Sequence, residues 1–148
     1  MLVEIKIFNP KMTLDLLPAK QTEGSAAVDL RAVLPEGQEF LEIEPGETVK
    51  VGVGIGIWIK NPNYVGLIVP RSSSVVGLAN TIGTIDSDYQ GELFLKLRNT
   101  SNKTVRVKDM ERIMQYMIVK VESITFDLVT EWSDVTDRGT GGDGHTGK

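Results

Sequence analysis

The sequence contains no cysteine and a single histidine among its 148 residues. Without cysteine there is neither a disulfide framework nor thiolate chemistry. The longest apolar stretch, Val51–Ile59, is interrupted by three glycines and is too short to cross a bilayer. The first ten residues alternate apolar with polar side chains and lack the unbroken apolar core of a signal peptide. We therefore expect a cytoplasmic protein with no membrane partner.

The chain also lacks a large excess of charge of either sign, since its formal net charge is only −4. A general nucleic-acid binder usually carries a basic face, so a nucleic-acid partner is not expected. A single anionic nucleotide is not excluded, because a few local arginines can outweigh a distant acidic surface. Hydrophobic content of 41% and a length of 148 residues suit one domain with a real core.

Short β-type runs dominate the rest of the chain, and no long segment has a helical apolar rhythm. Turn signals such as Glu44–Glu47 and Asn61–Asn63 separate the runs. This pattern predicts an all-β jelly roll, sandwich or barrel, with at most one short helix at Ser73–Leu78. The predicted strands are Val3–Phe8, Leu41–Ile43, Thr48–Ile59, Tyr64–Val69, Leu93–Leu97, Val105–Val107, Ile113–Val121 and Ile124–Val129.

The domain is expected to cover residues 1–133, with residues 134–148 as a flexible Gly-rich tail of the same domain. The segment RGTGGDGHTGK, from Arg138 to Lys148, has five glycines and no large apolar side chain. It cannot bury enough surface to offset its ordering entropy. It is either a frayed terminus or a lid that orders on an anionic ligand. Its likeness to a phosphate-binding P-loop fails, because the Ser or Thr and the helix after the lysine are missing.

The segment NTIGTIDSDYQGE, from Asn80 to Glu92, is the part of the sequence most informative about catalysis. It places Asp86 and Asp88 between two glycines, with Tyr89 alongside. A carboxylate held at such a turn can aim a water molecule, but an ordinary solvated hairpin fits equally well. Asp86-Ser87-Asp88 also resembles a metal-binding D-x-D pair, and on sequence alone a solvated turn is just as consistent with it.

Two further motifs suggest phosphate binding. Arg71, Ser72 and Ser73 directly follow a strand, and guanidinium and hydroxyl groups match phosphate oxygens. In the segment ERIMQ, strand alternation predicts Arg112 and Met114 on one face and Ile113 and Gln115 on the other. A buried Gln115 then needs a polar partner.

His145 is either a solvated tail residue or a phosphate contact. A Ser-His-Asp hydrolase is not expected, because the chain has no G-x-S-x-G elbow to supply a nucleophile.

Read in order, five segments resemble the five motifs of the trimeric deoxyuridine triphosphatase (dUTPase) family. They are Ala27–Ala32, Pro70–Ser73, Asn80–Glu92 with G-x-I-D-x-x-Y-x-G-E intact from Gly83, Arg112–Gln115, and Arg138–Gly147. The resemblance implies a distorted jelly-roll or β-barrel subunit in a homotrimer whose active sites are shared between subunits. It implies hydrolysis of dUTP to dUMP and pyrophosphate with Mg²⁺, which limits uracil in DNA and supplies dUMP for thymidylate synthesis.

The resemblance also implies roles for individual residues. Asp86 would be the general base that activates the water, and Asp29 would position metal-bound waters. Tyr89 would lie under the deoxyribose and leave no room for a 2′-hydroxyl, which would exclude UTP. The uracil edge would be read by Asn80 and the main chain of Gly83, Thr84 and Ile85. The phosphates would be held by Arg71, Ser72, Ser73, Gln115, Arg138, Gly142, His145 and Thr146.

The fifth motif departs from the family pattern R-G-x-G-G-F-G-S-T-G. Asp143 stands at the aromatic position and His145 at the serine position, so the phenylalanine that stacks on uracil is missing. Base stacking is worth roughly 1–3 kcal/mol, so its loss would weaken binding by tenfold or more. His145 would replace it only if the tail shifts register.

Two alternatives are a dCTP deaminase, single-function or bifunctional, and a nucleotide-sensing trimer with a regulatory protein partner. The intact segment Ile85–Tyr89 argues against the deaminase.

Overall fold

The computed structural model describes residues 1–73, 77–80 and 82–141. Within these ranges the chain forms eleven strands and one short 3₁₀ turn, Leu14–Leu16. The strands are β1 Glu4–Ile7, β2 Val28–Arg31, β3 Phe40–Ile43, β4 Thr48–Gly52, β5 Ile55–Trp58, β6 Tyr64–Pro70, β7 Leu78–Asn80, β8 Gly83–Ile85, β9 Phe94–Asn99, β10 Val105–Lys108 and β11 Arg112–Lys120. The described residues include no helix long and apolar enough to cross a lipid bilayer.

The strands form four antiparallel sheets around one core. The largest has the order β2–β11–β6–β8, the next β4–β9–β7, and two pairs join β1 to β5 and β10 to β3. In β9, Leu95 and Leu97 are fully buried while Lys96 and Arg98 are exposed. This period of two follows from the pleat and puts one face of each sheet on the core. The predicted all-β jelly-roll architecture is confirmed, and in the described residues the sheets do not close into a barrel.

Two predictions about secondary structure are wrong. The run Thr48–Ile59 is two strands, because the backbone bends at Gly54, whose φ of 70° suits glycine. The predicted strand Ile124–Val129 is irregular, and Phe126 is 90% exposed, because no strand of this chain pairs with it among the described residues. At Ser73–Leu78 the sequence allowed at most one short helix, and Leu78 instead starts β7. Residues 74–76 lie outside the described ranges.

The Tyr116 side chain packs directly against Gly66 in the largest sheet. A Cβ at Gly66 would overlap the Tyr116 hydroxyl and ring. Tyr116 is 3% exposed, and its hydroxyl has no hydrogen-bond partner among the described residues. Burial raises the pKa of this phenol to about 12.

Asn99 is the buried polar side chain of the core. Its amide nitrogen donates to Ile43 O at 2.8 Å and Lys103 O at 2.7 Å, while its oxygen accepts from the Ser101 amide at 2.9 Å and hydroxyl at 2.8 Å. All four hydrogen-bonding positions of the amide are used, so the buried group is satisfied. The side chain ties β9 to β3.

Candidate active site

An arginine and carboxylate cluster forms where β2, β6 and β11 lie side by side. Gln115 in β11 stands opposite Asp29 in β2 and opposite Val69 in β6. Since neighbouring strands are about 4.8 Å apart, this register brings three sequence-distant motifs to one place. We call Asp29, Arg71, Arg112 and Gln115 the arginine cluster.

Asp29 binds two arginines in this cluster. Its Oδ1 lies 2.7 Å from Arg71 Nε and its Oδ2 lies 3.2 Å from Arg112 Nη1. Arg71 Nη1 also donates to Arg112 O at 2.7 Å. The Asp29 side chain is 16% exposed, so these ion pairs are screened less than surface pairs. Two guanidinium groups against one carboxylate leave a positive charge, which suits an anionic ligand.

Gln115 has the polar partner that its position requires, because Nε2 donates to Pro70 O at 2.8 Å. The predicted alternation through residues 112–115 is wrong. The register of β11 against β2 shifts between Arg112 and Met114, and both Ile113 and Met114 are buried. Such a bulge re-aims a side chain locally. Arg112 thereby reaches Asp29, a contact that the alternation alone did not predict.

The segment after β8 is a closed turn. Tyr89 N donates to Asp86 O at 3.1 Å, and Lys60 N donates to Ser87 O at 3.0 Å. Asp86 is exposed at this turn. In the described part of the chain no group of three or more His, Cys, Asp or Glu side chains is arranged to hold a metal ion. Asp86-Ser87-Asp88 is therefore a turn, and it does not belong to an all-protein metal cage.

A pocket of about 380 Å³ lies beside this turn, which is the size of a small-molecule site. Five residues predicted from sequence line it, with seven others. The lining residues are Lys50, Ile68, Ile82, Gly83, Thr84, Ile85, Asp86, Tyr89, Glu92, Leu93, Phe94 and Lys96. The Asn80 backbone pairs with Leu97, but its side chain is outside the described part of the structure.

Asp86 also borders a second pocket, of about 640 Å³, on the other side of the turn. Trp58, Lys60 and Tyr64 contribute to its wall. The first pocket is the better candidate site because Tyr89 and the whole of β8 line it.

The arginine cluster and Asp86 are separated within one chain. Ile85 pairs with Gly66, whereas Met114 pairs with Pro70 at the other end of β6. Four residues of strand correspond to about 13 Å. The structure therefore brings Asp29, Arg71 and Gln115 together, and it places Asp86 and Tyr89 in a different group.

The remaining predicted residues lie at exposed turns or outside the described ranges. Ser72 and Ser73 are exposed in the turn after β6. Arg138 Nε donates to Gly141 O at 2.9 Å, which closes a turn at the start of the tail. Gly142, His145 and Thr146, like Asp143, lie outside the described residues.

Sequence reasoning missed Arg112 as a partner of Asp29, and Lys50 and Glu92 in the pocket wall. Arg112 and Glu92 lie inside motifs that the sequence displays, so their position was a usable signal. Lys50 belongs to β4 and is brought in only by its pairing with β9.

The fold and these two groups of residues define an all-β protein with an arginine–carboxylate cluster and a separate pocket beside a carboxylate turn. A model of the dUTPase family matches residues 16–147. The deoxyuridine 5'-triphosphate nucleotidohydrolase of Psychrobacter cryohalolentis is 42% identical and is aligned over 99% of this chain and 97% of its own length. The protein of the same name from Acinetobacter baumannii is 44% identical, over 100% and 99%. The chain belongs to the dUTPase family.

Solved structures agree with this fold. A mutant dUTPase of Staphylococcus bacteriophage 80alpha with dUpNHpp has a TM-score of 0.84 and 23% identity, with 99% of each chain covered. A mutant dUTPase from phage phi11 of S. aureus, described with a coordinated structural Mg(II) ion, has a TM-score of 0.78 and 18% identity, covering 90% of this chain and 100% of that one. At these identities the likeness concerns the fold alone.

Proposed function

We propose that this protein hydrolyses dUTP to dUMP and pyrophosphate, and so limits uracil in DNA and supplies dUMP for thymidylate synthesis. The observation that carries the proposal is the pocket beside β8, in which Asp86 and Tyr89 line one small-molecule volume. Relatives aligned over nearly the whole chain bear the name of this activity. The cytoplasmic location expected from the sequence stays a prediction.

Asp86 acts as the general base in this proposal. A water oxygen attacks the α-phosphorus, its proton passes to the Asp86 carboxylate, and the bond from the α-phosphorus to the α–β bridging oxygen breaks. Pyrophosphate leaves with the electron pair of that bond. Two observations support this role. The Asp86 side chain lines the pocket, and main-chain hydrogen bonds to Asp86 O and Ser87 O fix the turn that carries it. A positioned base contributes about 10²–10⁴-fold.

The pocket wall accounts for nucleoside recognition. Main-chain groups of β8, with Asn80, are proposed to hydrogen-bond the uracil edge, and the Tyr89 ring to lie under the deoxyribose. A site whose polar groups match one base leaves them unpaired with another, which is a strong basis for rejection. Tyr89 is 39% exposed, so its ring has a free surface for a sugar.

Arg71 and Gln115 of the arginine cluster are proposed to hold the phosphates, with Ser72 and Ser73. Mg²⁺ prefers oxygen ligands and usually binds through substrate phosphates and waters, which fits a site without an all-protein cage in its described part. When bound, Mg²⁺ neutralises charge on the triphosphate. Because both Asp29 oxygens contact arginines, Asp29 orients Arg71 and Arg112 directly and any contact with metal-bound water is additional. The tail residues Arg138, Gly142, His145 and Thr146 are proposed to close over the γ-phosphate.

We also propose a homotrimer with shared active sites, and two observations support it. The partners of Ile85 and Met114 in β6, Gly66 and Pro70, are about 13 Å apart along the strand, which argues against Asp86 and the arginine cluster of one subunit acting on the same α-phosphate. The segment after β11 exposes apolar side chains, which indicates a surface covered by another chain. These are Ile124, Phe126, Leu128, Trp132 and Val135, each at least 74% exposed.

A substrate panel tests the proposal. Purified protein with Mg²⁺ is incubated with dUTP, UTP, dTTP and dCTP, and pyrophosphate and ammonia are measured. Pyrophosphate from dUTP alone is expected. Ammonia from dCTP would identify a deaminase instead, and nucleotide binding without any product would favour the nucleotide-sensing regulator.

A further inference from the structure

Glu92 connects the turn that carries Asp86 and Tyr89 to the backbone bend between β4 and β5. Its Oε1 accepts the Gly54 amide hydrogen at 2.8 Å, and Gly54 forms the bend between β4 and β5. A Cβ at Gly52 would come within 2.5 Å of the same Oε1, so the absence of a side chain at Gly52 makes room for this carboxylate. The side chain is half-buried, which raises the cost of losing its partner.

The bend that receives Glu92 is itself fixed. Gly54 O accepts from the amides of Phe8 at 2.8 Å and Asn9 at 3.1 Å. On either side, Leu93 exchanges main-chain hydrogen bonds with Val53 and Ile55. Leu93, Val53 and Ile55 are at most 1% exposed. The Glu92 carboxylate is therefore hydrogen-bonded to a well-ordered bend beside the core.

The main chain of Glu92 contacts Tyr89, which lines the pocket. Its carbonyl oxygen accepts the Tyr89 hydroxyl at 2.8 Å, and a Cβ at Gly91 would overlap the Tyr89 hydroxyl. The hydroxyl end of the Tyr89 ring thus packs against Gly91. Tyr89 N in turn donates to Asp86 O. One chain of contacts runs from the core bend through Glu92 and Tyr89 to the Asp86 turn.

We propose that Glu92 is a positioning residue that sets the sugar selectivity of the site by fixing Tyr89 against Gly91 and the Asp86 turn against the Gly54 bend. The inference rests on the proposed function, because selectivity is defined only for an active nucleotidohydrolase. In this role Glu92 acts through Tyr89 and the Asp86 turn and takes no part in the chemical step. Its carboxylate is needed as a hydrogen-bond acceptor, and its negative charge is not.

Two variants separate acceptor from charge. Glu92→Ala removes the acceptor for Gly54 N–H, whereas Glu92→Gln retains an oxygen at Oε1 with nearly the same volume. With Glu92→Ala we expect KM for dUTP to rise about tenfold, the effect of leaving the Gly54 amide without its hydrogen-bond partner. We also expect the ratio of kcat/KM for dUTP to that for UTP to fall by a similar factor. Glu92→Gln should restore both quantities to within about threefold of the wild type.

Tyr89→Phe tests the second half of the contact chain, since it keeps the ring and removes only the hydroxyl. It should lower sugar selectivity in the same direction, and combining it with Glu92→Ala should give less than the product of the two effects. Because Glu92→Ala can also affect folding, amide hydrogen exchange of residues 86–91 is followed in parallel. Faster exchange in Glu92→Ala, and wild-type exchange in Glu92→Gln, are expected.

Unchanged selectivity in Glu92→Ala, with a lowered Tm only, overturns the inference and leaves the proposed function intact. Equal losses in Glu92→Gln and Glu92→Ala overturn it too, because the charge would then be the requirement. A wild-type protein inactive on dUTP refutes the proposed function, and unchanged exchange of residues 86–91 in Glu92→Ala then refutes the positioning contact separately. If Glu92→Ala does not fold, wild-type selectivity in Tyr89→Phe overturns the inference.

Discussion

Arg71 Nε lies 2.7 Å from Asp29 Oδ1, across two strand boundaries of the largest sheet. The pair orients the guanidinium before any ligand arrives, and Arg71 Nη1 is held by Arg112 O as well. Arginine suits this place because its planar fork makes several hydrogen bonds in a fixed geometry.

Arg71→Lys should raise KM for dUTP by about tenfold or more, because an ammonium cannot reproduce the fork. Steady-state kinetics with dUTP measure the effect. Arg106→Lys is the matched control, since Arg106 pairs with Glu42 at 3.3 Å in an exposed contact. Wild-type KM in Arg71→Lys would remove Arg71 from the phosphate site.

Asp86→Asn should lower kcat by about 10²–10⁴-fold with little change in KM, because the amide keeps the shape but cannot take the proton. Asp88→Asn, in the same turn, should keep wild-type turnover. Retention of more than about a tenth of wild-type kcat in Asp86→Asn would contradict the assignment of the base.

Mixing two inactive variants tests whether sites are shared. Asp86→Asn and Arg71→Ala subunits are co-refolded in equal amounts. If Asp86 and the arginine cluster of one site come from different subunits, about a quarter of the sites in random mixtures recover both intact residues. Pyrophosphate release should reappear in the mixture and stay absent from each variant refolded alone. No recovery, with trimers present by light scattering, would place both residues in one subunit.

Asp109→Asn should destabilise the protein at neutral pH. Burial acts most strongly on Asp109 and opposes ionisation, but the Lys11 hydrogen bond at 2.8 Å, the Leu34 amide at 2.8 Å and the Lys11 charge outweigh it, so the pKa lies below its usual value. A depressed folded-state pKa stabilises the protein above the unfolded pKa of about 4, and this contribution disappears as pH falls through the folded value. We expect a loss of about 1–2 kcal/mol at pH 7.

Urea unfolding of wild type and Asp109→Asn across pH 2–7 measures this effect, with exposed Asp88→Asn as control. The difference between wild type and Asp109→Asn should shrink below about pH 4. A difference that stays constant down to pH 2 would show that the Asp109 charge does not contribute.

The sequence predicted most of the fold, because strands half-buried against one core show their period of two directly. β1, β3, β6 and β10 lie within one or two residues of the predicted runs. Ile124–Val129 has the same alternation but forms no strand. Alternation indicates that a segment has an apolar face, but it does not show what that face packs against. Asp29 and Arg71 were predicted for separate roles, and their contact was invisible because only the register of β11 brings them together. The bulge at Arg112–Met114 likewise has no signature in the residues themselves.

The close approach of Gly66 and Tyr116 couples two positions fifty residues apart. Any residue larger than glycine at 66 displaces the phenol, so an exchange there survives only beside a smaller partner at 116. The packing of the largest sheet at this point therefore depends on both positions together.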